Sequence, residues 1–373
     1  MSIKIAHNNW HFARPQLADA YLNSFELGLS SARGLFARRR MGKTEFLKQD
    51  LIPAAQTKGY VCVYVNLWEI QTDPAISLLA AIHSALSPRG ISKMWNNLSA
   101  PLKKIKASAK MAGIEGSLEA ELNEAKQQAG SLLVEAMALF DAGKANMLLI
   151  IDEAQVLADP QHSIFTHALR AALDIRKERI KVVFAGSSES TLRRMFGVSS
   201  EPFYNWAPLE PFPLLGDEFI KAMVKKVATI SKFPLPLPDA LNAFEELNRT
   251  PEFFRRYLDN YLTNPLPGAQ HALEHTKNLL FNDDGFITQW NELLATDQYL
   301  LLQIAHDNTD MYSAKALLQL GQQLGLDKPA SKSTVQNALT RLAKKNIVTK
   351  MERNYQFEDI AFAEWLKKSD FFD

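Results

Sequence analysis

The residues most able to do chemistry in this chain lie at the ends of apolar runs. Ala37-Arg38-Arg39-Arg40-Met41-Gly42-Lys43-Thr44 has the Walker A spacing, with the final Gly-Lys-Thr intact. Gly42 lets the backbone curl close to a phosphate. Amides opening the next helix point at the anion, aided by the helix dipole. Lys43 supplies a positive charge for the β- and γ-phosphates, and the Thr44 hydroxyl is a ligand for Mg²⁺. Ala37, Arg40, Met41, Gly42, Lys43, Thr44 and Glu45 are the candidate nucleotide contacts of this segment. Ala37 stands where the pattern has glycine, and alanine does not readily take φ > 0. Arg38, Arg39 and Arg40 have three open readings: phosphate contact, plain exposure, or contact with a neighbouring subunit.

A second run, Met147-Leu148-Leu149-Ile150-Ile151-Asp152-Glu153, is a hydrophobic strand closing on two carboxylates, the Walker B form. Asp152 is expected in the Mg²⁺ shell and Glu153 as the general base that polarises water. The plainer reading is that both merely cap the next helix. The Gly-Lys-Thr loop upstream, with a further βα unit between, weighs against it. The extra strand Val61–Asn66 fits the P-loop subclass that uses a catalytic glutamate. A third run ends Phe184-Ala185-Gly186-Ser187-Ser188. Ser187 is the candidate sensor of the γ-phosphate and Ser188 the second choice, against a simple loop serine. Arg193 and Arg194 follow; either can serve a neighbour's ATP if the chain oligomerises. Arg255, flanked by Arg249 and Arg256, is the candidate for sensing nucleotide from a lid. Gln155 can position water or cap a helix.

The elements that must position these groups follow from periodicity. Gly34–Ala37, Val61–Asn66, Met147–Asp152 and Lys181–Gly186 are nearly continuous apolar runs, as expected of strands buried on both faces of a parallel sheet, with a fifth strand around Tyr204–Leu209. Helices are expected at Lys43–Lys58, Pro74–Leu86, Leu118–Phe140 and Gln161–Lys177. The alternation predicts an α/β parallel sheet flanked by helices over residues 1–213. Residues 214–296 read as a helical lid, with Lys232–Pro238 as a loop because prolines lack donors and disfavour helix before them.

Residues 297–373 read as a winged helix. Tyr299–His306, Ser313–Leu324 and Thr334–Asn346 are the expected helices, with a turn at Gly325–Ser331 and a β-like Ile347–Phe357. In Thr334–Asn346 the apolar face is Val335, Ala338, Leu339, Leu342 and Ala343. Ser333 with Gln336 has the capping-box pattern. Lys332, Thr334, Gln336, Asn337, Arg341 and Lys344 are the candidate DNA contacts, with Lys350–Asn354 as a wing. From Lys328 to Arg353 there are seven basic residues against one acidic. Winged helices also bind proteins, so a protein partner stands as the alternative.

Composition bounds the rest. Of the 373 residues, 47% are hydrophobic and 22% charged, enough apolar material for a sizeable core, and the formal net charge is +1. No global field therefore points to nucleic acid or membrane, and any such partner needs a local patch. Lys103, Lys104, Lys106 and Lys110 beside Glu115–Glu124 read as solvated surface. The lone Cys62 reads as a core residue and fits a reducing cytoplasm. Met1–Trp10 lacks the apolar stretch of a signal peptide, and no run reaches a membrane span.

With these residues placed, the chain resembles the archaeal-type AAA+/STAND P-loop ATPases, a group that includes origin-recognition-type replication initiators and transposon ATPase regulators. The resemblance rests on Arg39–Thr44, Tyr64-Val65-Asn66-Leu67-Trp68, Ile151-Asp152-Glu153-Ala154-Gln155, Gly186-Ser187-Ser188 and the terminal winged helix. It implies an ATP- and Mg²⁺-dependent switch, oligomeric or docked to a protein, often acting on DNA or mobile elements. The segment Phe12–Pro15 corresponds to the family's entry segment, which tends to lie near the adenine. Arg249-Thr250-Pro251 departs from the family's Gly-x-Pro form in the lid.

Overall fold

The computed structural model describes residues 10–69, 73–86, 133–281 (without 135 and 139), 284–308, 310–351 and 354–369. The lysine cluster at 103–110, the acidic stretch 115–124, most of the expected helix Leu118–Phe140 and part of the wing lie outside them. The described chain forms two compact units. The first holds residues up to Phe36, Thr44–Gly186 and Thr191–Pro211. The second holds Ala37–Lys43, Ser187–Ser190 and everything from Phe212 onward.

The first unit is a five-stranded parallel sheet: β1 (Ala32–Phe36), β2 (Val61–Asn66), β3 (Met147–Asp152), β4 (Ile180–Gly186) and β5 (Leu209–Pro211). The spatial order is β2-β3-β4-β1-β5. The central strands β3 and β4 are buried at every position, as their nearly continuous apolar sequences require, and the buried Lys181 of β4 donates to the Lys177 carbonyl at 3.0 Å. Strand β2 lies at an edge and alternates in burial instead. Cys62 is consequently half-buried rather than in the core, and its thiol is pushed up to about 12 by burial. The fifth strand forms at Leu209–Pro211, just after the expected Tyr204–Leu209, which is turns up to that point.

Around the sheet lie α1 (Pro15–Glu26), a helical run from Lys43 to Thr57, α4 (Pro74–Leu86), α5 (Ser163–Ile175) and α6 (Glu189–Gly197, which begins in the second unit). The run from Lys43 is two α-helical pieces, α2 (Lys43–Phe46) and α3 (Ile52–Thr57), around a π-helical turn at Leu47–Leu51. Pro53 lacks the N–H that would continue the α-ladder, which accounts for the irregular turn before it. Phe184 of β4 packs edge-on against Phe203 and Trp206, closing the core on one face.

The second unit opens with four helices: α7 (Asp217–Ile230), α8 (Leu237–Glu246), α9 (Pro251–Thr263) and α10 (Gly268–Phe281). The first three are joined by an aromatic cluster of Phe219, Phe244 and Phe254, and Phe281 of α10 packs edge-on against Phe253 of α9. Helix α8 begins at Leu237, so the expected loop Lys232–Pro238 is shortened; Pro238 falls in the helix's first turn, where its missing donor costs nothing. Then come α11 (Asp284–Asn291), α12 (Ala295–Ala305), α13 (Ala314–Gln323), α14 (Lys332–Lys344), the hairpin β6 (Val348–Met351) with β7 (Asn354–Phe357), and α15 (Ile360–Lys368). One core of Leu300, Leu301, Val335, Leu339, Phe362 and Leu366 holds these together. The turn between α13 and α14 is tight. A Cβ on Gly321 would fall 2.5 Å from the carbonyl of Lys328, so glycine lets the two segments close. The N-cap of α14 is Ser331, whose hydroxyl accepts from the Thr334 amide. Ser333, expected to cap, sits inside the helix.

Candidate nucleotide site

The end of β3 gathers side chains from distant parts of the first unit. Asp152 is fully buried. Its Oδ2 accepts from the Thr44 hydroxyl at 2.7 Å and from the Tyr64 phenol at 2.9 Å, and its Oδ1 accepts from the Glu153 amide at 3.1 Å. A carboxylate out of water needs such donors, because an unpaired buried charge is costly. Burial first, and then the charge of Asp152, raise the Tyr64 pKa well above its usual value, so the phenol keeps its proton and acts as a donor. The parallel register sets Asn66 of β2 opposite Asp152, and the Asn66 side chain accepts from the Trp68 amide, shaping the strand's exit.

Glu153 has left-handed backbone angles, φ 56° and ψ 42°. A non-glycine residue there costs about 1–2 kcal/mol. Its side chain is half-buried and accepts a hydrogen bond from Gln155 Nε2 at 2.6 Å. Glu153 makes no side-chain cap to the following 3₁₀ turn, Ala154–Ala158. Asp152 accepts the amide of Glu153 itself, so the helix-capping reading of the two carboxylates does not describe them. Glu45, in the first turn after the loop, lies 3.7 Å from His11 Nδ1. His11 also contacts Asp50 at 3.0 Å, and the Arg14 amide donates to the same carboxylate. The segment Phe12–Pro15 is therefore tied to the helical run from Lys43.

The loop Ala37–Lys43 leads from β1 to that run. Ala37 is buried and is not in the left-handed region, so alanine in place of glycine brings no backbone strain. The left-handed turns fall at Arg40 (φ 68°) and Gly42 (φ 82°). Met41 and Lys43 are buried. Arg40, expected at a phosphate, is spent within the second unit. Its Nη1 donates to Asp359 at 2.9 Å, its Nε lies 3.8 Å from Glu252, and its guanidinium covers the Phe253 ring at 5.1 Å. Ser187 and Ser188 are buried, and Ser190 hydrogen-bonds Thr349 at 2.9 Å.

The candidate arginines divide. Arg194 donates to the Ala158 carbonyl at 2.7 Å and pairs with Glu201 at 3.2 Å. Arg193 is exposed and lies over the Phe36 ring at 5.2 Å. Arg255 is half-buried on α9, while Arg249 pairs with Glu245 and Asp217 and Arg256 pairs with Glu252. On α14, Lys332, Asn337 and Lys344 are exposed. Arg341 is not simply outward: it grips the buried Asp297 with Nη2 at 2.7 Å and Nε at 3.3 Å, and also bonds Thr296. Gln336 accepts from the Tyr312 hydroxyl, and Thr334 bonds the capping Ser331.

The residues at the end of β3 fit a hydrated magnesium ion. A hydroxyl and a carboxylate, both hard oxygen donors, meet beside a second carboxylate. Gln155 and Tyr64 are what the sequence reading left without a definite role. The signal for both was position: Tyr64 shares the pleat face of β2 that ends beside β3, and Gln155 follows Glu153 by two.

The family model described as "Probable winged helix domain" matches residues 284–368. The fold is similar to that of the Walker-type ATPase of Pyrococcus abyssi, at 17% identity, covering 95% of each chain with a TM-score of 0.57. It is also similar to the Aeropyrum pernix ORC2 protein in its ADPNP-ADP complexes, at 14% identity, covering 94% of this chain and 91% of that one with a TM-score of 0.58. The ADP form of the same protein gives 14% identity, 95% and 91% coverage, and a TM-score of 0.54. No curated protein sequence matches the chain. The fold is thus the one shared with these structures: a parallel sheet flanked by helices, followed by helices and a winged helix.

Proposed function

We propose that this chain binds ATP with Mg²⁺ and hydrolyses it to ADP and phosphate, and that it works as a nucleotide-dependent switch. The observation that carries the reading is the meeting of Thr44 and Asp152 at 2.7 Å across 108 positions of sequence, with Glu153 next in the chain. Magnesium, when bound, neutralises charge on the phosphates. Thr44 and Asp152 would hold it, and Lys43 would take the β- and γ-oxygens. Glu153 would accept a proton from water as the water oxygen attacks the γ-phosphorus, and the bond to the β–γ bridging oxygen breaks. Ser187 would sense the γ-phosphate, and Arg193 or Arg194 would serve a neighbouring copy's nucleotide. Gly42, Met41 and the backbone from Ala37 would line the phosphates, with Glu45 and Arg255 at the margin.

The division into a core at 1–213, a lid at 214–296 and a winged helix at 297–373 follows this reading, as does a cytoplasmic, oligomeric protein that contacts DNA, in a mobile-element or genome-defence setting. Among the described residues, no helix is long and apolar enough to cross a membrane. The exposed Lys332, Asn337 and Lys344 support DNA as partner. A second reading, a signalling or assembly switch whose winged helix binds a protein, draws on Arg341 and Gln336, which already have intramolecular partners.

The test is ATP turnover by the wild type, Lys43→Ala and Glu153→Gln, each with and without duplex DNA. Turnover lost in both variants and raised by DNA supports the first reading. Turnover that ignores DNA keeps the ATPase and moves the search to a protein. Turnover unchanged in both variants overturns the assignment of the site.

A further inference from the structure

Resting on the ATPase reading, we propose that Gln155 is a positioning residue: its amide sets the carboxylate of the general base Glu153, and Gly186 leaves the space that lets it do so. Three observations converge on Gln155. First, its Nε2 donates to Glu153 Oε2 at 2.6 Å, which fixes one oxygen of the carboxylate that is to take a water proton. Second, Glu153 stands in the left-handed region without being glycine, so neighbours that fix its side chain matter to its orientation. Third, a Cβ on Gly186, the last residue of β4, would fall 2.2 Å from Gln155 Oε1 and 2.9 Å from Leu192 Cδ1. Both are ends of flexible side chains. Any residue larger than glycine therefore displaces the Gln155 amide rather than the strand.

The chemistry follows from the donor. An amide N–H that donates to one carboxylate oxygen fixes the direction in which the carboxylate faces. Without the amide, Glu153 keeps its place in the chain but loses the contact that orients its carboxylate. Thr44 and Asp152 hydrogen-bond each other directly, so the effect of losing the amide is expected in kcat and not in affinity.

The experiment is steady-state ATP hydrolysis, with nucleotide affinity and thermal unfolding measured alongside, in the full chain. Gln155→Ala is expected to lower kcat about 10- to 100-fold and to leave ATP affinity within about twofold. Gln155→Glu keeps the side-chain length but loses the donor, and should lower kcat at least as far with ATP affinity retained. Gly186→Ala should reproduce Gln155→Ala, yet add less than about twofold in the Gln155→Ala background, because the clashing oxygen is gone. A merely structural Gln155 would lower thermal stability and weaken kcat and ATP affinity together. That result overturns the proposal, as do wild-type kcat in Gln155→Ala or fully multiplicative effects of the two substitutions. A wild type without turnover sinks the ATPase reading and this inference with it. A wild type that turns over ATP through Lys43 and Glu153, but ignores Gln155, sinks the inference alone.

Discussion

The acidic end of β3 and the basic helix α14 are both rich in polar side chains, and they are built in opposite senses. At β3, groups from positions 44, 64, 153 and 155 turn inward on one another around a fully buried carboxylate. On α14, Lys332, Asn337 and Lys344 turn outward, and only Arg341 turns in, toward the buried Asp297. Convergent groups with fixed partners are what chemistry on a small molecule demands, since orientation must be set before the substrate arrives. Divergent groups on a helix face suit a large partner that brings its own counter-charges. The contrast also sorts the candidates: Arg341 belongs with the inward set even though its sequence position placed it with the outward one.

The largest expected effect tests the convergent side. Glu153→Gln keeps the shape and the hydrogen bond to Gln155 within reach, but it removes the proton acceptor. Turnover should fall about 100- to 10,000-fold with ATP affinity retained. A fall of less than about tenfold would mean that another group takes the proton, and that the cluster at β3 is structural.

Next comes Arg341→Ala. It strands a carboxylate that is 1% exposed. Breaking a buried pair costs about 3–5 kcal/mol, and the low end applies here because Arg341 keeps contact with solvent. The urea midpoint of the full chain should drop accordingly. If stability holds and only DNA affinity falls, Arg341 is a DNA contact after all, and the inward–outward division fails at the residue that defines it.

A smaller effect is expected from Lys344→Ala. The side chain is exposed, so stability should change by no more than about 0.5 kcal/mol. DNA affinity should weaken across sequences, and the slope of log affinity against log salt should shrink by about 1. An unchanged slope with full DNA binding removes Lys344 from the contact surface. No salt-dependent affinity in the wild type favours the protein-partner reading of the winged helix.

The two regions were unequally legible in the sequence. Strands β2 and β3 begin and end where their apolar runs do, and the helix from Lys43 follows the Gly-Lys-Thr motif, because burial on a parallel sheet and phosphate-loop spacing are local signals. The edge position of β2, which leaves Cys62 half-buried, is a matter of spatial order and has no local sign. The cap of α14 fell at Ser331 and not Ser333: three hydroxyl residues crowd the helix start, and the backbone angles decide among them. Arg40 and Asp359 are 319 positions apart, and Arg341 and Asp297 are 44 apart, so pattern reading gave these cations to ligands while the fold gives them carboxylates. The hydrogen bond from Gln155 to Glu153 is close in sequence. It stayed hidden because it depends on the left-handed turn at Glu153 and on the space at Gly186, neither of which a motif shows.

The smallest expected effect separates the ionic ties of the two units by pH. In the first unit His11 lies against Asp50 and Glu45, and its pKa is raised from 6.5 to about 9, chiefly by the hydrogen bond to Asp50 and then by that to Glu45. The folded chain therefore holds a proton on His11 that the unfolded chain gives up above about 6.5. The stabilisation is fully present below pH 6.5 and is lost as pH rises through about 9. The tie in the second unit joins Asp297 to Arg341 and involves no histidine. Urea midpoints of the wild type and His11→Gln should differ most near pH 6.5 and converge toward pH 9.5, while the gap between wild type and Arg341→Ala should stay constant. His11 is only partly buried, so the convergence should be a modest movement of the midpoint. A His11→Gln gap that is equally wide at both ends would show that His11 acts by packing, and that the ties of the two units do not differ in their dependence on protons.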